Sequence, residues 1–168
     1  YERAMDRSLV MLRQMKGMVE GLLLLARADA GKVALRVGDV DVAAVVGRSW
    51  EVLEERANAR KMRLRVEGEA SLRGDAELVG MMMTILLENA VCYAMAGTEI
   101  LVLMTQAAQG VAVEIVNEGH GLEAGDIPHV FERFWRKDAA RAETGVHAGL
   151  GLSLCERLVE LHGGGVSA

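Results

Sequence analysis

The chain has 168 residues and is 51% apolar, enough for a sizeable core and for one ordinary domain with an appendage, so a disordered chain is excluded. With 24 acidic against 19 basic side chains the formal charge is −5, which argues against a binder of the phosphate backbone, and no nucleic-acid partner is expected. Two cysteines, Cys92 and Cys155, make neither a disulfide framework nor a zinc knuckle and fit a reducing, cytoplasmic setting.

From Met5 to Asp29, residues Met5, Leu12, Met15, Val19, Leu22 and Ala26 fall on the a and d positions of a heptad, with Ser8 and Asp29 as exceptions. This predicts a long helix with a seam, stopped at Gly31 and widened by Leu9 and Leu23 toward a bundle. The chain opens inside this pattern without a basic-then-apolar leader and reads as a piece of something longer. A polar stretch from Lys32 to Asp41 marks a boundary. Asp41 then caps a helix to about Arg60, and Met62, Leu64 and Val66 alternate as a half-buried strand. Asp75 caps a second helix through about Ala94. Its nearly apolar run from Leu78 to Leu87 is about half of what a bilayer crossing needs. Thr98 to Gln106 and Val111 to Val116 read as two strands joined by a short turn, and Gly149 opens a last helix that ends before Gly163. Helices and strands mix without regular βαβ alternation, so the predicted class is α+β with helices on one face of the sheet.

Four segments carry the chemistry. Leu86 to Tyr93 holds Glu88 and Asn89 at the margin of an apolar helical face; the Asn oxygen is a hard ligand suited to magnesium, although such an Asn is also commonly solvated. Val116 to Leu122 follows a strand, and its glycines permit either a close approach to a flat ligand or an ordinary strand-end turn, with Asn117 able to pair with a nucleobase edge. Val130 to Arg136 puts Phe131 and Phe134 three apart on one helical face, as core or as ligand contacts, and offers Arg133 and Arg136 to phosphate. Ala148 to Leu154 contains Gly149 and Gly151 at a helix start, where free N–H groups favour a polyphosphate; neither a P-loop nor a dinucleotide motif accompanies it.

In this order the four segments resemble the N, G1, F and G2 boxes of the GHKL ATP-binding superfamily, specifically the catalytic and ATP-binding domain of bacterial sensor histidine kinases, over residues 41 to 168. Leu12 to Asp29 resembles the second helix of the dimerisation and phosphoacceptor hairpin of the same family. The resemblance implies a GHKL-type two-layer α/β sandwich with a mixed sheet, preceded by a long helix. The implied organisation is residues 1–32 as the hairpin helix, 33–40 as linker and 41–168 as the ATP-binding domain, its closing strand cut off after Ala168.

The same resemblance implies a site for ATP and Mg2+. Asn89 would hold the metal; Glu88 and Arg136 would be catalytic, with Arg136 near the γ-phosphate. Tyr93, Asn117, Gly119, Gly121, Phe131 and Phe134 would contact the nucleotide. Its phosphates would lie against His147, Ala148, Gly149, Leu150, Gly151 and Leu152, under a lid formed by residues 137–148. The implied reaction moves the γ-phosphate to a histidine on the other hairpin helix, absent here since no histidine precedes His120, and from there to an aspartate of a response regulator receiver domain. A homodimer is implied for the whole protein, a cytoplasmic domain of a bacterial inner-membrane protein tethered through a part not present. The chain departs from the family pattern at Asn117, usually Asp, at Cys92, usually basic, and at His147, usually Gly. The alternatives are a degenerate member that binds nucleotide without transfer and a helical interaction module.

Overall fold

Two aspartates open the helices at the centre of the fold. In this computed structural model, which describes residues 2–108, 110–119, 121–137 and 149–168, the elements in order are α1 (Glu2–Asp29), β1 (Val37–Asp41), α2 (Val42–Ala59), β2 (Arg63–Glu67), β3 (Ser71–Asp75), α3 (Ala76–Tyr93), β4 (Glu99–Ala107), β5 (Gly110–Asn117), a single 3-10 turn (Ile127–His129) and α4 (Gly151–Leu161). Asp41 accepts the amide of Ala44 at 3.0 Å, and Asp75 those of Glu77 and Leu78 at 3.0 and 3.2 Å. Both caps take up N–H groups that have no partner inside the helix. Asp75 also accepts the Arg36 amide at 2.8 Å, and this bond above all holds its carboxyl below the usual carboxylate range.

The chain divides into two units, Ala34–Gly121 and Tyr1–Val33 with Leu122–Ala168. In the first, α2 packs along α3, and the pair rests on a three-stranded mixed sheet through β2 and β5. In that sheet β4 lies between β2, parallel to it, and β5, antiparallel to it. Ile100, Val102 and Met104 alternate inward along β4 and are buried, as the period of two requires. Leu87 of α3 has no exposed surface, so truncation to Ala would cost about 2–5 kcal/mol. The one buried hydroxyl between the helices is satisfied: Ser49 donates to the Gly80 carbonyl at 3.3 Å and accepts from Thr84 at 3.1 Å. By length and composition α3 would suffice to cross a membrane, and its packing on α2 and β5 explains that composition.

The strands β1 and β3 pair antiparallel, Val37 opposite Asp75 through Asp41 opposite Ser71, as a separate two-stranded sheet. Neither was expected from the sequence, and β1 lies in the stretch read as a polar connection. Between β2 and β3, Gly68 has φ +82 and comes so close to the Met104 carbonyl that a Cβ there would sit 2.1 Å from the oxygen.

In the second unit α4 lies against α1. Leu25 and Ala28 of α1 and Leu154, Cys155 and Leu158 of α4 are buried, and an added Cβ on Gly21 would touch Leu154 at 3.7 Å. Burial pushes the Cys155 thiol up to about 12, so it is an inert core residue. On α1 the heptad residues Leu12, Met15, Val19 and Leu22 stay exposed. The helix stops as expected: Gly31 has φ +64, and the amides of Gly31 and Lys32 return to the carbonyls of Ala28 and Arg27. The last helix begins at Gly151 rather than Gly149, because Gly149 is left-handed, with φ +71.

Candidate functional site

The C-terminal turn of α3 and the end of β5 meet in the first unit. Met95 donates its amide to the Glu118 carbonyl at 2.7 Å, and Ala94 and Gly119 form an isolated antiparallel bridge. A Cβ on Gly119 would fall 2.6 Å from the Tyr93 carbonyl oxygen and 3.2 Å from the Asn117 amide nitrogen, so a glycine is required for this approach. The contact joins two segments that the sequence singled out separately. Asn89 lies half-buried one turn before this contact, Tyr93 is 48% exposed, and Asn117, the last residue of β5, is half-buried. Gly121 is exposed and meets no neighbour that would require glycine. Glu88, next to Asn89, is held by Arg56 of α2 at 2.7 Å. His120 lies outside the described residues.

Arg60, the residue that ends α2, also reaches this corner. Its guanidinium donates to the carbonyls of Val91, Cys92 (3.0 Å) and Ala94 (2.7 Å). Nothing local in the sequence marks it, since its partners lie 31 to 34 residues away.

The second unit holds the other segments. The expectation that Phe131 and Phe134 share one helical face is overturned: residues 131–134 form turns, and Phe134 is left-handed with φ +67. The cause is a long-range bond, the Phe134 amide donating to the Gly149 carbonyl at 2.7 Å. Phe131 is half-buried and Phe134 is 60% exposed, so neither belongs to a packed aromatic pair. Gly149 is fixed by the same contact; a Cβ on it would lie 2.7 to 2.9 Å from the backbone of Phe134 and Trp135. Arg133 does not stand free for phosphate. It binds Asp29 at 2.7 Å, where Arg157 also approaches at 3.4 Å, and the Arg133 bond is the main reason the Asp29 carboxyl lies below its usual range. Lys137 pairs with Asp126 at 2.8 Å, lowering that carboxyl and raising its own ammonium.

Two features of this unit suit an anion. Arg136 has a buried Nε with no hydrogen-bond partner among the described residues, the kind of orphan donor that a bound oxyanion would satisfy. The first turn of α4 is uncapped: Leu150 at its N-cap makes no side-chain bond, so the amides of Gly151, Leu152 and Ser153 lack helical acceptors. Residues 138–148, among them His147, Ala148 and almost all of the expected lid, lie outside the described residues. Among the described residues no cluster of three His, Cys, Asp or Glu side chains could hold a metal. A single Asn oxygen fits magnesium, which takes few protein ligands and completes its shell with water and phosphate.

Residues 74–168 match the family of histidine kinase-, DNA gyrase B-, and HSP90-like ATPases, and the chain belongs to that family. The sensor protein IrlS of Burkholderia pseudomallei is 32% identical over 98% of this chain and 35% of its own length. The sensor histidine kinase CusS of Escherichia coli K12 is 30% identical over 93% of this chain and 33% of its own length. The histidine kinase AdeS of Acinetobacter baumannii superposes with a TM-score of 0.81 at 20% identity, covering 95% of this chain and 74% of that one. The α+β fold is therefore of the GHKL type. Residues 74–168 thus form an ATPase domain of that family, and the chain spans about a third of the length of the curated relatives it matches.

Proposed function

We propose that this chain binds Mg-ATP and delivers the γ-phosphate to a histidine of a dimerisation hairpin, from which it passes to an aspartate of a response regulator receiver domain. Asn117 holds the adenine edge and Tyr93, Gly119, Gly121, Phe131 and Phe134 line the nucleotide. Asn89 presents its oxygen to the metal, and Glu88, fixed by Arg56, stands beside it as an anchored carboxylate. Arg136 turns its unpartnered Nε to a phosphate oxygen, and the amides of Gly149, Leu150, Gly151 and Leu152 receive the others. When bound, magnesium supplies charge neutralisation on the phosphates. An imidazole nitrogen forms the new N–P bond as the γ-phosphorus leaves the bridging oxygen and ADP departs; the chain's part is positioning and electrostatic support.

The observation that carries this reading is the bridge between Ala94 and Gly119, which joins the helix bearing Asn89 and Tyr93 to the strand ending at Asn117. The exposed seam of Leu12, Met15, Val19 and Leu22 supports a homodimer formed through α1 in the whole protein, which we propose to be membrane-tethered with this part in the cytoplasm.

Calorimetric titration with Mg-ATP, followed by incubation with a separately supplied hairpin carrying the acceptor histidine, tests the reading. The chain is expected to bind, to label the hairpin with acid-labile phosphate and not to label itself. Asn89→Ala is expected to remove the magnesium-dependent part of the affinity, tenfold or about 1.4 kcal/mol, with the fold intact. Binding without transfer would identify a degenerate member, and absence of binding an interaction module.

A further inference from the structure

We propose that Arg60 is a positioning residue for the adenine end of the nucleotide site, an inference that rests on the functional reading above. The last carbonyls of a helix have no partner within it and carry the negative end of its dipole. In α3 these carbonyls belong to the turn that bears Asn89 and Tyr93, and the helix has no basic residue in that turn to serve them. Arg60 serves them from α2, with one guanidinium nitrogen shared by Val91 and Cys92 and another on Ala94.

The arginine is itself held on both sides. Its amide returns to Ala57, and the following amides of Lys61 and Met62 return to Asn58 and Ala57, so the backbone there is a closed turn with Lys61 at φ +56. Its carbonyl accepts the amide of Gly97 at 2.9 Å, and Met95 between them binds Glu118. The Arg60 side chain therefore braces the carbonyls where α3 stops, its backbone carbonyl holds the turn toward β4, and both lie beside the place where the Asn117–Gly119 strand end abuts Tyr93. The planar fork matters, because three carbonyls in a fan need donors in several directions at once, which a lysine ammonium supplies less completely. Arg60 touches the frame of the site and acts on nucleotide through Tyr93, Gly119 and Asn117.

The test compares the whole 168-residue chain with Arg60→Met and Arg60→Lys by titration with Mg-ATP and Mg-ADP, and by amide hydrogen exchange without nucleotide. Arg60→Met is expected to weaken ATP and ADP by the same factor, about tenfold, since the adenine end is common to both. Exchange at the Met95 amide is expected to quicken while that at Val102 in β4 stays at the parent rate. Arg60→Lys is expected to recover part of the affinity, and it carries the test alone if the Met variant does not fold. Affinity within twofold of the parent in the variant tested overturns the proposal. So does a loss accompanied by faster exchange throughout β4 and β5, which would report general loosening. A parent that binds neither nucleotide overturns the functional reading itself, and this is seen before any substitution is made.

Discussion

The corner at the end of α3 and the pinch between Phe134 and Gly149 each join distant parts of the chain, and they do so by different means. At the α3 corner the joining groups are the ends of regular elements, braced by the Arg60 side chain, with one glycine admitting the contact. At the pinch a single backbone bond of 2.7 Å joins two left-handed residues, one of them a phenylalanine. Regular elements distribute the cost of a close approach over a helix and a strand. The pinch concentrates it in two residues, where a left-handed non-glycine costs about 1–2 kcal/mol. The first arrangement suits a platform that keeps its shape, and the second a fastening that rests on two residues.

Substitutions that load the two places differently test this contrast. The largest effect is expected from Gly149→Ala, which meets both a left-handed backbone and the Phe134 backbone at 2.7 Å. Its loss of stability should be roughly 2–5 kcal/mol, read as a shift of the denaturation midpoint. Gly119→Ala meets the Tyr93 carbonyl at 2.6 Å in an ordinary backbone conformation. It should lose less stability, roughly 1–3 kcal/mol, yet lower ATP affinity, since the strand end must move away from Tyr93; unchanged affinity would detach Gly119 from the site. Asn117→Ala should weaken ATP by about 1–2 kcal/mol through loss of one hydrogen bond. Asn117→Asp should sharpen the preference for ATP over GTP, because a carboxylate only accepts while a carboxamide meets either base edge. Competitive displacement of a fluorescent ATP analogue measures both, and an unchanged ratio in the Asp variant would remove Asn117 from the adenine edge. The smallest effect is expected far from both places, at the other end of α3. Loss of the Asp75 cap in Asp75→Ala should cost about 1 kcal/mol. Because its carboxyl titrates below the usual range in the folded chain, its contribution is complete above the ordinary carboxylate pKa of about 3.9 and is lost as pH falls through the folded value. Asp75→Asn should flatten that acid limb of the stability curve.

Several elements were legible in the sequence because their signals are local. Asp41 and Asp75 announce their helices by capping, the alternation of Met62, Leu64 and Val66 announces β2, and Gly31 announces the end of α1. What stayed hidden depends on partners far along the chain. β1 and β3 contain Gly38, Asp39, Gly74 and Asp75, which are poor strand formers, and they become strands by pairing with each other. The helical reading of the Phe131–Arg136 segment failed because a bond from Gly149 dictates the backbone at Phe134. For the site, the four segments were legible as motifs, whereas Arg56, Arg60 and the Asp29 pairing with Arg133 and Arg157 were not, since an isolated arginine gives no sign of which acceptor it will reach.

The antiparallel register of β4 and β5 also sets where this chain refuses a change of length. In β4 and β5 a single inserted residue would shift the pairing of Ile100 with Asn117 by one place and turn every inward side chain outward. Insertions, tags or whole peptides are therefore excluded from the interior of β4 and β5, where the fold counts residues one by one.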